Sequence, residues 1–412
     1  SYCQAQTEHL VQNDSKTEGE DEESRIVEPT KDRFKLKFGD QDPHAFTFGL
    51  GSRIGEPAAL QGGKRLRASS TRSQIDIVFP VGGFFQQGLG PNQRLLLEVI
   101  GDIQGVALDL SYTIAPQTIP GAFSVNAFTQ RTLLGVFERG DDVDLPGGAD
   151  PWVHRNGGGV EYLIPFSSQF SLASAFNYQL VSVRPGAFTN TVESRDEQGN
   201  QVTVSDDGQD PLLTFNLSSL WATVDDPGFP TKGSRLRGGI DTSIPIGDAS
   251  IAYGRFTGNL SQFVPVDFFG FNEGPRTLIL NLQAGTMVGD VPPYEAFSMG
   301  GSRTVRGYGN GAVGSGSSFL LASAEYRFPV VNDLHILVDF DLQGSLFFDY
   351  GTDLDTAGEV LGEPANVRDK PGDGFGYCLG LHAKTGFGLI RLELALNDEA
   401  DFTTYFTVGD RY

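Results

Sequence analysis

The sequence predicts an all-β protein, an antiparallel transmembrane β-barrel of sixteen strands. Runs of about ten residues alternate apolar and polar side chains, and the connections between them are alternately long and short. No stretch of about eighteen apolar residues is available to form a membrane-spanning helix. The composition agrees, because 53 glycines and 31 phenylalanines against 2 methionines favour strands, turns and aromatic contacts over a helical core.

The first element in chain order is an acidic arm. Residues 1–32 carry many acidic and few aliphatic side chains, so they have little apolar surface to bury and are predicted to be disordered. Alternation begins after Arg33, and Phe46 and Phe48 lie in the first predicted strand. The predicted domains are therefore the arm over 1–32 and one barrel over 33–412.

The strands that follow have one apolar and one polar face. The alternation is clearest in residues 105–114, 277–286 and 391–397, where leucine, isoleucine, valine or tyrosine side chains take one face. Such strands suit a lipid-facing barrel and also a solvated antiparallel sheet. A soluble β fold is thus the alternative, and the connections between the strands separate the two.

Connection lengths favour the barrel. The sixteen strands are predicted at residues 44–53, 66–80, 93–101, 104–114, 121–137, 152–165, 168–183, 212–224, 233–244, 249–264, 276–288, 317–328, 334–350, 374–384, 388–397 and 402–412. Long polar connections at 138–151, 184–211, 289–316 and 351–373 alternate with short ones at 115–120, 166–167, 329–333 and 385–387. Long loops at one rim and tight turns at the other are typical of outer-membrane barrels.

One connection is too long and too rich in glycine for a hairpin turn. Residues 297–318 read FSMGGSRTVRGYGNGAVGSGSS, whereas hairpin connections usually take about two to five residues. At the centre of this loop lies a single cation with apolar, glycine and aromatic neighbours, in the order Val305, Arg306, Gly307 and Tyr308. The flanking glycines allow the loop to fold back on the barrel.

Arg306 has two candidate partners in the strands that follow, Glu325 and Asp349. The alternation of residues 320–328 and 334–349 places both carboxylates on the face opposite the lipid side, so both point into one lumen. A charge-assisted contact there is expected to contribute about 1.5–3 kcal/mol. The alternative is an arginine in solvent on a surface loop, which is the usual state of loop arginines.

The remaining composition excludes several classes of function. A net charge of −22 and a pI near 4.5 argue against a nucleic-acid partner, because phosphate binding needs a basic face. Cys3 and Cys378 are far apart and are interpreted as free thiols, with a disulfide as the unsupported alternative, and they have no metal-ligand spacing. No catalytic constellation, cofactor motif or metal-ligand cluster is recognisable, so we expect neither an enzyme nor a cofactor.

Four motifs in order resemble those of one family. Residues 300–308, GGSRTVRGY, resemble the sixth-loop motif of the Omp85 superfamily, which includes bacterial outer-membrane assembly factors, two-partner secretion transporters and the import and sorting barrels of plastids and mitochondria. Residues 225–233, DDPGFPTKG, resemble its D-x-P-x-x-P-T-x-G turn. Residues 325–327 and 347–351 resemble the two strands after the sixth loop. The turn motif supplies four candidate residues, Asp225, Pro227, Pro230 and Gly233.

This resemblance implies a sixteen-stranded barrel whose sixth loop lies in the lumen, with Arg306 against acidic residues of the next two strands. It also implies a poorly sealed seam between the first and last strands. The candidate seam residues are Phe46, Phe48, Phe406 and Tyr412. The alternation predicts Phe406 and Tyr412 on the outer face, with Tyr412 at the membrane edge, which favours a bacterial outer membrane over a plastid or mitochondrial one.

The predicted N-terminal region departs from the family pattern. Better-known members carry POTRA domains, which capture client polypeptides, in front of the barrel. About forty residues precede the first predicted strand, fewer than the ~50 of a small folded domain. The resemblance therefore indicates either a fragment or processed form of a longer protein or a barrel-only member.

Three functions from different classes follow. The first is assisted insertion of membrane β-barrel proteins, or polypeptide translocation, through the lateral seam by strand addition. Its partners would be membrane lipid, unfolded outer-membrane or secreted polypeptides, and a separate POTRA-bearing or periplasmic delivery protein. The second is a pore for small solutes or lipids with residues 289–316 as a plug. The third is a soluble β-sheet enzyme or binding protein, which the missing catalytic cluster disfavours.

Overall fold

The computed structural model describes most of the chain. It covers residues 36–37, 46–49, 65–66, 73–77, 81–90, 93–101 and 105–412, except 117, 139, 141–142, 228, 336–338, 386–387 and 409–410. The predicted arm at 1–32 and the side chains of Phe46 and Phe48 lie outside the described part and stay predictions.

The regular secondary structure of the described residues is almost entirely β-strand. The strands β1 to β21 are Leu36–Lys37, Phe46–Gly49, Arg65–Leu66, Ser73–Ile77, Val81–Gly90, Gln93–Gly101, Gly105–Ile114, Ala122–Leu133, Trp152–Pro165, Phe170–Arg184, Gln209–Ala222, Gly233–Ile244, Tyr253–Pro265, Thr277–Gly289, Phe297–Met299, Gly314–Gly316, Ser318–His335, Asp339–Thr352, Asp373–Thr385, Gly388–Asn397 and Phe402–Val408. Single 3₁₀ turns lie at Gly135–Phe137, Pro293–Glu295 and Ala357–Glu359, and one short helix, α1, at Pro364–Val367. Within the described ranges no helix is long and apolar enough to cross a membrane.

Sixteen of these described strands form one continuous antiparallel ladder. β2 pairs with β5, each strand from β5 to β14 pairs with the next, β14 pairs with β17, and the ladder continues to β21. The short β15 and β16 pair with each other inside the long connection between β14 and β17. The fold class predicted from the alternation is confirmed.

The outer face of the ladder is apolar and exposed. Outward side chains with about two fifths to half of their surface exposed include Leu108, Leu110, Val125, Phe176, Phe256, Leu260, Leu280, Leu282, Phe348, Leu381 and Leu392. The alternate residues point inward and are largely polar, as Asn281, Glu325 and Glu393 illustrate. Apolar surface of this extent is favourable against lipid and unfavourable in water, so the strands span a membrane.

The connections separate onto two rims, as predicted, but the predicted short connection 329–333 lies inside β17. Among the described connections, the turn rim carries those that begin at 115, 166, 223 and 266. The long-loop rim carries those that begin at 134, 185, 245, 290, 353 and 398. We call residues 290–317, which contain the predicted sixth-loop motif, loop six.

Loop six fills the barrel, because side chains from well-separated strands meet on it. Arg155 on β9 and Glu393 on β20 both contact this loop. Its apolar side chains, including Tyr294, Phe297, Met299 and Val313, join a buried core with residues of strand ends and of the neighbouring long loops. The sheet therefore curls around loop six, and a packed apolar core closes the lumen toward the long-loop rim.

The structure corrects the predicted start of the barrel. Residues 81–90, VGGFFQQGLG, form β5, a strand that was not predicted because its glycines interrupt the alternation. Within the predicted strand 66–80, the described residues form the end of β3 and the whole of β4. The predicted seam pairing of 44–53 with 402–412 is not found among the described residues. Instead 73–77 pairs in parallel with 402–406 and supplies backbone partners for β21.

Candidate functional site

Loop six descends into the lumen as a folded element. β15 and β16 pair across Phe297 and Gly316, and between them the chain turns through Gly300 and Gly301, both at positive φ. A Cβ on Gly300 would lie 2.3 Å from the carbonyl oxygen of Gly309, so only glycine fits this turn. The tip of the loop carries Arg306, which is fully buried.

Arg306 binds three carboxylates, two of which the sequence predicted. Its Nε donates to Oδ2 of Asp349 at 2.7 Å and its Nη2 to Oδ1 at 3.0 Å, a bidentate pair. Its Nη1 donates to Glu325 at 2.8 Å and to Glu393 at 2.7 Å. The guanidinium carbon also lies 3.5 Å from the centre of the Phe347 ring. All of the donating nitrogens therefore have partners, and the sequence prediction missed only Glu393.

The three carboxylates have further cationic partners, so the lumen is not left strongly negative. Arg327 donates to Glu325 at 2.7 Å, and Arg411 donates to Asp349 at 2.9 Å. Arg391 lies 3.6 Å from Glu393. We call Arg306, Glu325, Asp349 and Glu393 the Arg306 cluster. Removing one member of such a buried set leaves uncompensated charge, which costs far more than the net gain from the intact set.

The neighbours of Arg306 hold the loop tip against β18 and β21. Val305 is buried, and its Cγ2 atom occupies the space that a Cβ on Gly351 would fill, at 2.7 Å. The amide of Gly307 donates to the hydroxyl of Tyr405 at 2.8 Å. The Tyr405 hydroxyl in turn donates to the carbonyl of Tyr308 at 2.5 Å. All four residues of the predicted sixth-loop motif are thus in contact with the barrel wall.

Glycine on the facing strand provides a test of loop docking that leaves the motif intact. A Cβ added to Gly376 in β19 would lie 1.6 Å from the Arg306 carbonyl oxygen, and its φ is not positive. Gly376→Ala is therefore expected to displace loop six, and limited trypsin digestion should then cut after Arg303 or Arg306. Gly258→Ala is the matched control, since no atom lies within 4 Å of its added Cβ. Equal protection of loop six in both variants would contradict this docking.

A second buried ion cluster holds the start of loop six and was not predicted. Glu295 accepts from Arg155 Nη1 at 2.5 Å and from Arg255 Nη2 at 2.6 Å, and we call these three residues the Glu295 cluster. Arg155 also donates to the carbonyl of Tyr294 at 2.7 Å, and the Tyr294 hydroxyl donates to Asp210 at 2.6 Å. Loop six is thereby tied to β9, β11 and β13. The sequence offers no signal for these pairs, which are 40 to 140 residues apart.

The predicted turn motif closes the turn rim between β11 and β12. Asp225 accepts from the amides of Thr231 at 2.9 Å and Lys232 at 3.0 Å. Burial raises the pKa of Asp225, but hydrogen bonds from the Thr231 hydroxyl and from these amides outweigh it and hold the pKa below its usual value. Gly233 has φ near +106°, and a Cβ there would lie 2.4 Å from a carbonyl oxygen, which requires glycine.

The other two motif residues position the side chain between them. Pro227 is exposed, and its carbonyl accepts from Arg235 at 2.9 Å. Pro230 is buried beside Phe229, whose ring lies 5.4 Å from the Arg327 guanidinium and 5.1 Å from the Lys384 ammonium. The turn thus inserts an aromatic ring into the lumen at the turn rim.

Tyr412 lies inside the lumen, not at the membrane edge, which corrects the prediction. Its ring packs with Phe263 and Ile279, its hydroxyl lies 3.2 Å from Glu325, and its main-chain oxygen accepts from Arg235 at 2.5 Å. The reason is that β21 ends at Val408, so strand alternation no longer assigns a face to Tyr412. Phe406 does lie on the outer face, since Thr403, Tyr405 and Thr407 are the buried residues around it.

The described residues contain no group of three or more His, Cys, Asp or Glu side chains arranged to hold a metal ion. The site is a set of buried ion pairs between a loop and a barrel wall. Such a set fixes a conformation, and its charged groups are almost fully buried.

Known proteins are similar to this chain in sequence. It is 33% identical over 262 residues to chloroplastic outer envelope protein 80 of Arabidopsis thaliana, covering 61% of this chain and 32% of that protein. It is 33% identical over 250 residues to chloroplastic outer envelope protein 39 of the same plant, covering 61% and 63%. Protein TOC75 of Oryza sativa subsp. japonica, also chloroplastic, is 28% identical over 307 residues, covering 70% and 35%. The chain thus spans about one third to two thirds of these relatives.

Solved structures share the fold at low identity. BamA from Haemophilus ducreyi lacking POTRA domains 1–3 superposes with a TM-score of 0.59 at 16% identity, over 77% of this chain and 63% of that one. CdiB from Escherichia coli gives 0.54 at 12% identity, over 89% and 62%. The profile of the Omp85 superfamily domain matches residues 88–412. With the sixth-loop arginine docked on the following strands and most of the barrel matched, this chain belongs to the Omp85 superfamily.

Proposed function

We propose that this protein assists the insertion of membrane β-barrel proteins, or passes polypeptides, through a lateral seam at β21. The observation that carries this proposal is the filled lumen: loop six is held inside by two buried ion clusters and an apolar core. Because the interior of the barrel is occupied, the strands of the wall are the part of the protein that remains available to interact with another polypeptide. This function needs no bond-making chemistry, and we propose that the protein is not an enzyme.

The weak strand pairing at the end of the ladder supports opening of the barrel wall at β21. β21 pairs with β4 over only five residues, in parallel, whereas β17 and β18 pair over thirteen. Parallel pairing is slightly less stable per residue than antiparallel pairing. Separation at β21 would expose unpaired backbone groups to lipid, at a cost of several kcal/mol for each group. An incoming strand that pairs with this edge removes the cost, which is the driving force in our proposal.

We propose that the protein performs this function in an outer membrane. The relatives named above are chloroplastic, and two of them are outer envelope proteins, at 28–33% identity to this chain. The inward position of Tyr412 removes the sequence argument for a bacterial membrane. We therefore favour the outer envelope of a plastid, with membrane lipid and unfolded membrane or translocated polypeptides as partners and a POTRA-bearing protein as the delivery partner.

A pore for small solutes or lipids, with residues 289–316 as a plug, remains the second candidate. The length and burial of loop six favour it, since removal of this one segment would empty the lumen. Against it stands the apolar core that joins the loop to strand ends and to neighbouring loops. A plug that opens readily would need fewer such contacts.

The test is to lock the seam. In a chain whose two native cysteines are replaced, cysteines at the paired positions Ile75 and Thr404 are bridged by a cleavable bifunctional maleimide. The bridge is expected to slow insertion of a client β-barrel into liposomes, and cleavage to restore it. The control bridge joins the paired positions Leu280 and Ala324, inside the ladder, and should leave insertion unchanged. Equal client insertion with the 75–404 bridge intact would overturn the proposal.

A further inference from the structure

The connection between β13 and β14 exposes a compact aromatic surface at the turn rim. Residues 266–276, which we call the flap, carry Phe268, Phe269 and Phe271 with 67%, 46% and 76% of their surfaces exposed. Three large apolar side chains within four residues are unfavourable in water. A partner of matching chemistry is therefore expected for this surface.

The flap is fixed against the outer wall of the barrel. The Tyr326 hydroxyl donates to the carbonyl of Phe269 at 2.5 Å, and the amide of Phe271 donates to the carbonyl of Pro329 at 3.0 Å. The ring of Phe269 lies 4.8 Å from that of Phe328, centre to centre. Tyr326 and Phe328 point away from the lumen, yet each is only 7% exposed, because the flap covers them. The flap thus covers two aromatic side chains of the wall and exposes three aromatic side chains of its own in their place.

The apolar outer face of the strands, which we call the lipid-facing belt, is continuous with the flap. β14 begins where the flap ends, and its outward Leu280 and Leu282 are nearly half exposed. The same rim carries other outward aromatic pairs, Phe123 stacked on Tyr162 at 4.3 Å and Phe166 on Phe170 at 5.6 Å.

The charges of the flap lie at its ends. Asp267 pairs with Arg276 at 3.2 Å, and the Asp267 side chain is 91% exposed. Glu273 is exposed as well. An apolar centre with charged ends suits the boundary between acyl chains and headgroups, where aromatic rings are enriched.

We propose that the flap is a lipid anchor, which inserts Phe268, Phe269 and Phe271 into the headgroup boundary of the leaflet at the turn rim. Continuity with the lipid-facing belt selects lipid as the occupant. Because the flap is bound to β17, it holds this part of the wall at a set depth, four strands away from β21. This proposal does not depend on what the seam does.

Single-tryptophan fluorescence tests the insertion. In a chain with Trp152→Phe and Trp221→Phe, Phe271→Trp reports on the flap, and Phe188→Trp is the matched control, since Phe188 is 82% exposed on the long-loop rim. The chain with Trp152→Phe alone keeps Trp221, an outward residue at the end of β11, as the lipid-facing reference.

In vesicles of phosphatidylcholine brominated near the headgroup end of the acyl chain, the tryptophan at 271 is expected to be quenched as strongly as Trp221. Bromine near the bilayer centre should quench it less, and the tryptophan at 188 should respond only to aqueous acrylamide. Phe268→Trp repeats the measurement if Phe271→Trp fails to fold. Acrylamide quenching at 271 equal to that at 188, without lipid quenching, would overturn the proposal.

Discussion

Replacing Arg306 with alanine is expected to lower the free energy of unfolding by about 3–5 kcal/mol, the cost of removing one partner from a buried ion pair. The change leaves Glu325, Asp349 and Glu393 facing one another, each with no exposed surface. Loop six then loses its main attachment to β17, β18 and β20. Urea unfolding followed by tryptophan fluorescence, together with heat-modifiable migration on gels, measures the effect.

Two controls separate this effect from general damage. Arg306→Lys keeps the charge but cannot form the bidentate pair with Asp349, so an intermediate loss is expected. Arg195→Ala removes an ion pair with Asp206 whose side chains are 50% and 89% exposed, and should cost less than about 1 kcal/mol. Unfolding of the Arg306→Ala variant at the wild-type urea concentration would show that the cluster does not stabilise the barrel.

The Glu295 cluster should behave in the same way, although no motif marks it. Glu295→Ala leaves two buried arginines, Arg155 and Arg255, without a carboxylate within 3 Å and is expected to cost about 3–5 kcal/mol. Glu295→Gln keeps the shape and one acceptor, so its loss should be smaller. The measurement is again urea unfolding, with Asp267→Ala as a control for an exposed ion pair.

Combining Glu295→Ala with Arg306→Ala tests whether both clusters act through loop six. Release of the loop by either change removes part of what the other cluster stabilises, so the two losses should be less than additive. Strict additivity would mean that the clusters stabilise separate parts of the barrel. A loss below about 1 kcal/mol for Glu295→Ala alone would remove the second cluster from the account.

Strand alternation predicted two of the three carboxylates that bind Arg306. The period of two assigned Glu325 and Asp349 to the inner face before any contact was known, and both bind Arg306. Glu393 also had the correct face, opposite Leu392 and Leu394, but which inward carboxylate reaches Arg306 depends on the curvature of the sheet. No pattern along the chain carries that information.

The remaining errors have similar physical causes. The Glu295 cluster joins residues of three distant segments, and isolated arginines within strands have no periodic signature. β5 is rich in glycine, which has no side chain to alternate. Tyr412 follows the end of the last strand, where the alternation rule stops. Alternation therefore predicts which face a side chain lies on within a strand, and it predicts nothing for residues outside the ladder.

Planar-bilayer conductance tests the central claim most directly. This claim is that loop six occupies the lumen, so that the protein acts on other polypeptides through its wall and not through an open pore. The intact chain is compared with a chain lacking residues 297–316. We predict weak, fluctuating currents for the intact protein and a large, steady conductance after the deletion, because the deletion removes Arg306 and most of the lumen filling. A large, steady conductance from the intact chain would contradict the account and make the protein a channel.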